Sequence, residues 1–189
     1  MDLRFSISIP NAVGCEPEDR TPRHALIIWA CVAVIACLLV SSIVVAPVAQ
    51  AAGHTTLAVF VYKTFSYLCH QIPERSFHLA GHKFAVCSRC TGLYSGFALA
   101  TLIYPLMRSL KRTDTPRLIW LVLASIPIAV DFLLGYFNIW QNTHLSRFLT
   151  GALLGSAAVF YIVPGLIELS SVIVQRFRAK ETPPSLSQL

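Results

Sequence analysis

The sequence predicts an all-α protein, an integral membrane helical bundle of about four transmembrane helices, and three observations carry that expectation. Apolar residues fill 55% of the 189 positions while 13% are charged, a balance beyond that of soluble domains. Four stretches are apolar over the length needed to cross a hydrocarbon core, about 20 residues at about 1.5 Å of rise each. Lys and Arg cluster between and beyond these stretches rather than within them.

The N-terminal segment, residues 1–24, is polar and is expected in the cytoplasm. The first span runs from about Ala25 to Ala49 without a charge, after Arg20 and Arg23. Ala49-Gln50-Ala51 matches a signal-peptidase site. The apolar run, however, exceeds the usual signal core of about 7–15 residues and follows Glu16, Glu18 and Asp19, so retention is expected. Next, Leu57, Phe60, Val61, Phe65 and Leu68 form an apolar stripe at helical spacing, with Lys63 and Ser66 off it. That pattern suits a short interfacial helix, or one half-buried against the bundle, ended by Pro73. The second span, about Thr91 to Met107, is short and uncharged. The third, Leu118 to Phe137, opens at Thr115-Pro116, an N-cap followed by proline at the first helical position, and holds one charge, Asp131. The fourth, about Phe148 to Val174, carries Glu168 near its end and stops at Arg176, Arg178 and Lys180. The membrane domain therefore covers 25–174, and the tail, 175–189, reads as disordered.

Cytoplasmic loops retain Lys and Arg. The ten-residue connection from Arg108 to Arg117 holds four of them, with three more in each terminal segment. With an even number of spans, both termini and this connection are expected in the cytoplasm of a multi-pass cell-membrane protein, leaving the loop 50–90 and the turn 138–144 outward. The net charge of +6 needs no nucleic acid, because basic inner loops meet acidic lipid head groups. The expected partners are the lipid bilayer, its acidic head groups and, as an allowed assembly, a second copy of the chain.

The outward loop contains the most distinctive residues. Cys69-His70-Gln71-Ile72-Pro73-Glu74-Arg75-Ser76-Phe77 is followed by Gly81-His82 and by Val86-Cys87-Ser88-Arg89-Cys90-Thr91-Gly92-Leu93-Tyr94-Ser95-Gly96. These strings resemble an uncharacterised group of predicted membrane proteins catalogued as domain of unknown function 2085. The resemblance covers roughly Val61 to Leu166, including Asp131, Arg147 and Thr150-Gly151. It implies a multi-span fold with a Cys-rich outward loop and brings no established reaction.

Three cysteines and nearby histidines within 22 positions suit tetrahedral zinc, bound through thiolate sulfur and imidazole nitrogen. Cys87 and Cys90 form the two-ligand knuckle and Cys69 supplies a third ligand. The fourth is His70 or His82. His82 has the easier spacing, whereas His70, adjacent to Cys69, needs a bent backbone. A closed site of four protein ligands would be structural; an open position would allow a membrane-embedded metal-dependent hydrolase or transferase. Two other readings use the same cysteines: a disulfide, usual in an oxidising compartment but leaving one thiol over, and a redox-active Cys87-x-x-Cys90 pair. Thr91 stands where covalent haem attachment requires histidine. Phosphate-cradling glycine loops, serine-nucleophile elbows and H-E-x-x-H helices do not occur in the sequence. Cys31 and Cys37, on different faces of the first span, and Cys15 add nothing to the cluster.

Asp131 lies roughly 9 Å below the outer end of its helix. A lone carboxylate there is costly, so a partner is expected, Arg147 being the candidate beside a histidine or a backbone group, and the pair is read either as structural or as catalytic or proton-carrying, as in a small transporter. Glu168, nearer the inner end, can reach the interface. Arg89 is a candidate to bind an anion such as a lipid phosphate or to lower a thiolate pKa. Gly92, Gly96 and Ala100 on the second span, with Gly151 and Gly155 on the fourth, predict close helix packing. If those faces meet, Cys90 and Arg147 are neighbours, and the candidate reactive group is Asp131, Arg147 and Tyr94 beneath the cysteines.

Overall fold

The computed structural model describes the backbone of residues 22–181 and the side chains of residues 23–176. Most of the expected N-terminal segment, with Cys15, and residues 182–189 of the tail lie outside the described residues. Among the described residues four helices are long and apolar enough to cross a membrane: α1 (Pro22–Ala51), α3 (Ser88–Met107), α4 (Ile119–Tyr136) and α5 (His144–Glu181). The shorter α2 (Thr55–Ser66) follows α1. A 3-10 turn, Pro73–Arg75, and an antiparallel hairpin of β1 (His78–Leu79) and β2 (His82–Lys83) complete the segment before α3. The hairpin turns on Ala80 and Gly81, both at positive φ, the combination that matches strand twist in a two-residue loop.

The spans alternate in direction. Residues 51–87 and the 137–143 turn share one end of the bundle, the cysteine end, while Pro22, the 108–118 connection and the end of α5 share the other. His24 Nε2 meets Ser170 Oγ at 2.8 Å, and Tyr161 donates to the Arg117 carbonyl at 2.9 Å, closing that opposite end. One core cluster lies at each end. Ile43, Ala46, Val61, Phe65, Ala85 and Val86 pack around Cys69, and Ala25, Ala100, Tyr104, Val159, Val163 and Ile167 pack at the opposite end.

The glycine stripes predict close packing without naming the partners, and the structure brings the two stripes against each other at the α3–α5 contact. A Cβ on Gly92 would strike the Phe148 carbonyl oxygen, one on Gly96 that of Ala152, and one on Gly155 that of Leu93. Close backbone approach of this kind lets dispersion and short polar contacts hold helices in a solvent as apolar as their side chains.

Each of the four spanning helices contains an interior proline: Pro47, Pro105, Pro127 and Pro164. A proline cannot donate to the carbonyl four residues before it. Two freed carbonyls find substitutes from other elements. Ile43, four before Pro47, accepts from the Ala85 N–H at 3.4 Å, and Thr101, four before Pro105, accepts from Trp29 Nε1 at 2.7 Å. The first docks the cysteine-bearing segment on α1; the second ties α1 to α3.

Several element limits differ from those read from hydropathy. Helix α3 begins at Ser88 and α5 at His144, earlier than the expected 91 and 148, because their polar first turns face partners inside the bundle rather than lipid. The α5 backbone continues to Glu181, so residues 175–181 of the expected disordered tail are helical; Arg and Lys are good helix formers, and the first breaker is Pro183. The expected Thr115 cap is not used. Leu118 occupies the N-cap of α4 in helical geometry, and Trp120 N–H closes on the Arg117 carbonyl. On α2 the buried face is Ala58, Val61 and Phe65, while Leu57, Phe60 and Leu68 are exposed. The apolar stripe is thus divided, one edge packing on the bundle and the other exposed. The helix ends at Ser66, before Pro73, where Leu68 and Cys69 N–H groups both close on the Phe65 carbonyl.

Candidate metal centre

Cys69 is delivered by the turn after α2, Cys87 is the N-cap of α3 and Cys90 lies in its first turn. Their sulfur atoms all lie within 4.8 Å of one another. Around a tetrahedral zinc with Zn–S bonds of about 2.3 Å, sulfur atoms stand roughly 3.8 Å apart, so the cluster is near the size such an ion requires. All three are free thiols, as are Cys31 and Cys37, which lie away from the group. The three cysteines can therefore hold a metal ion.

The surroundings of Cys69 favour its thiolate. The Cys87 backbone N–H donates to Cys69 Sγ at 3.3 Å. Hydrogen bonds from the Cys87 and Cys90 thiols and from the Cys87 and Gln71 backbone outweigh burial and hold the Cys69 pKa far below that of a free thiol. Cys87 and Cys90 stand at the N-terminal end of α3.

A network independent of the sulfurs fixes the loop. Gln71 Nε2 donates to the Tyr62 carbonyl at 2.6 Å, Lys83 Nζ donates to the Gln71 carbonyl at 2.7 Å, and the Tyr62 hydroxyl donates to the Lys83 carbonyl. Gln71 itself is at φ 51, which bends the chain just past Cys69-His70. Buried Ser88 donates to the Arg75 carbonyl at 3.0 Å and meets His144 Nδ1 at 2.9 Å. It thereby joins the 3-10 turn to the starts of α3 and α5, with Phe77 packed on the His144 and Phe148 rings.

The histidines separate. His70 is exposed on the wall of a cavity of about 410 Å³ that also contains Cys69, Cys87 and Cys90. His82 lies on β2 and lines a different cavity, with Gln50 and His78. Neither belongs to the group of ligand atoms formed by the three cysteines.

Asp131, the one buried residue of α4, has a partner other than the one expected. Its carboxylate pairs with Arg89, not Arg147, and accepts a hydrogen bond from Ser146 Oγ at 3.0 Å. Arg89 lies in the first turn of α3 on the side facing α4, and its guanidinium sits 5.7 Å from the centre of the Phe132 ring. Asn142 donates to the Asp131 backbone carbonyl, so the carboxylate, the α4–α5 turn and α3 form one clamp. Arg147 lines the cavity with Cys90, the neighbourhood that the glycine stripes predict. Tyr94 packs against the cysteine cluster, edge-on to Phe65 at 6.4 Å. Glu168 is exposed toward the opposite end of α5. The residues that residue-by-residue reading missed are Ser88, Asn142, His144 and Ser146. Ser88 and His144 flank the spans as predicted and carry no chemical signature of their own.

Comparison with known proteins agrees with this architecture. Residues 69–161 match the family described as predicted membrane protein (DUF2085), a stretch that begins at Cys69 and ends within α5. An uncharacterized protein of Methanocaldococcus jannaschii is 37% identical over 133 residues, covering 68% of this chain and 85% of that protein. An uncharacterized protein of Methanothermobacter thermautotrophicus is 37% identical over 105 residues, covering 54% of this chain and 93% of that protein. No solved structure matches the chain. With its cysteine loop, four long apolar helices and alignment across most of the length of these relatives, the chain belongs to the DUF2085 family of predicted membrane proteins.

Proposed function

We propose that the protein is a multi-pass membrane protein whose cysteine end is organised by one structural zinc ion, held by Cys69, Cys87 and Cys90 with His70 as fourth ligand. The observation that carries this reading is the convergence of three free thiols from two separate segments within 4.8 Å. His70 is preferred to His82 because it shares the cysteine cavity, while His82 is held on the hairpin beside another cavity. Zinc suits a soft thiolate set without redox demands, and a closed four-ligand site secures a loop that otherwise rests on two two-residue strands and one short helix.

The membrane domain, 25–174, is proposed to cross the cell membrane with the cysteine end outward and both termini in the cytoplasm, following the basic residues of the 108–117 connection. In this reading Asp131 is a clamp between α4 and α3, supported by its pairing with Arg89 and Ser146. The enzymatic alternative, zinc with an open fourth position, differs only in whether His70 or water completes the shell.

Elemental analysis of detergent-purified protein, with thiols counted under denaturing conditions, tests the reading. About one zinc per chain, lost in a Cys87→Ser/Cys90→Ser variant, is expected. Absence of zinc with fewer free thiols than cysteines would replace the metal with a disulfide or redox element.

A further inference from the structure

Beside the cysteine cluster, the cavity of about 410 Å³ has a charge pattern the metal does not explain. Arg75, Arg89 and Arg147 all line it, and neither Asp nor Glu does. Arg89 is shared with Asp131. Arg75 and Arg147 make no side-chain hydrogen bond or ion pair among the described residues, and each guanidinium offers five donors. The charges do not cancel within the site. Even when Asp131 offsets one arginine and a zinc bound by three thiolates offsets another, one positive charge is left facing the cavity. Arginines near one another repel, so a cavity that gathers three of them is stabilised by an anion between them.

The arginines are held in place by different elements. Ser88 fixes the backbone carbonyl of Arg75, Asp131 orients Arg89, and Arg147 lies one turn into α5, whose N-terminal end faces the same region. Asn138 and Asn142 add amide groups to the lining, while Leu68, Ile72 and Phe132 add apolar wall. Ligand pockets commonly combine apolar walls with a few convergent polar groups in roughly 300–1,000 Å³. Planar guanidinium groups match phosphate oxygens in paired hydrogen bonds. Inorganic phosphate alone would leave the apolar wall without a partner, whereas a phosphate ester fills both parts.

We propose that this cavity is a binding site for a phosphate ester, its phosphoryl oxygens held by Arg75 and Arg147 and its organic part against Leu68, Ile72 and Phe132. The same chemistry comes from two sources, an anionic phospholipid head group entering from the bilayer or a soluble phosphate monoester entering from the aqueous side. The site shares its cavity with the cysteines but does not depend on the bound metal.

The test uses the full chain in detergent with its metal content measured alongside, so that loss of metal and loss of anion binding are told apart. One arm measures retention of phosphatidylglycerol by native mass spectrometry; the other measures glycerol 3-phosphate binding by calorimetry. Arg147→Gln and Arg75→Gln are compared with Arg112→Gln in the opposite loop as control. Arg75 lies in an exposed turn, so its variant gives a reading if Arg147→Gln does not fold. A fall of at least about tenfold in phosphatidylglycerol retention in the cavity variants, with the control unchanged, assigns a lipid. The same fall confined to glycerol 3-phosphate assigns a soluble ester. Binding of neither probe, or equal binding by all variants, overturns the proposal.

Discussion

Replacing Asp131 with asparagine removes one negative charge while preserving shape, and its cost can be worked from the geometry. The Asp131 side chain is 7% exposed and that of Arg89 is 23% exposed. Removing one member of a buried ion pair costs about 3–5 kcal/mol, because the other charge is left without compensation. Asparagine keeps an oxygen that can accept from Ser146, and Arg89 retains some exposure, which places the expected loss at the lower end. A destabilisation of about 3 kcal/mol, roughly a 150-fold change in the folding equilibrium, follows. The assay is reversible unfolding in mixed micelles of mild detergent and dodecyl sulfate, followed by tryptophan fluorescence. Trp120, in the first turn of α4, and Trp140, just past its end, report its release. A Asp131→Leu/Arg89→Met variant, which removes both charges, should recover most of the loss. If Asp131→Asn unfolds within about 0.5 kcal/mol of wild type, or if its effect is unchanged in an Arg89→Met background, the clamp does not hold α4 as described.

Three further outcomes are expected. Gly155→Val forces a side chain into the Leu93 carbonyl on α3, so a loss of about 3 kcal/mol or more in the same unfolding assay is expected; an unaffected variant would contradict the α3–α5 contact. Trp29→Phe removes the donor that replaces the one lost at Pro105 and should cost about 1–3 kcal/mol. Adding Pro105→Ala, which restores a helical donor to the Thr101 carbonyl, should return part of that cost, and simple additivity in this pair would argue against the substitution of one donor for the other. His70→Ala should weaken zinc retention in a chelator competition at least as much as the ~10–100-fold typical of removing an outer-shell partner. His82→Ala should leave it unchanged, and the reverse order would move the fourth ligand to the hairpin.

Four spans, the short helix after the first and the packing role of the glycine stripes were legible because each follows from local pattern: length, periodicity and the repetition of small residues; that the two stripes meet each other was not. The starts of α3 and α5 were less legible. Arg89 and Ser146 read as loop residues on hydropathy, yet each makes its polar contact with Asp131 inside the bundle. The Arg89–Asp131 pair spans 42 positions and depends on where α4 docks, which periodicity does not encode. The same holds for the histidines. Spacing favours His82, but the Ala80-Gly81 turn carries it into a hairpin that lines a different cavity, while Gln71 bends the chain where His70 leaves Cys69. The prolines illustrate the same limit, since Pro47 and Pro105 announce freed carbonyls but not the Ala85 and Trp29 donors that take them.

X-ray absorption at the zinc edge on purified protein tests the central claim most directly, because it counts ligands and measures bond lengths without crystals. Three sulfur ligands at about 2.3 Å and one nitrogen at about 2.0–2.1 Å are predicted, with the nitrogen contribution lost in His70→Ala. Two or fewer sulfur ligands, or no bound zinc in protein whose Cys69, Cys87 and Cys90 remain reduced, would contradict it.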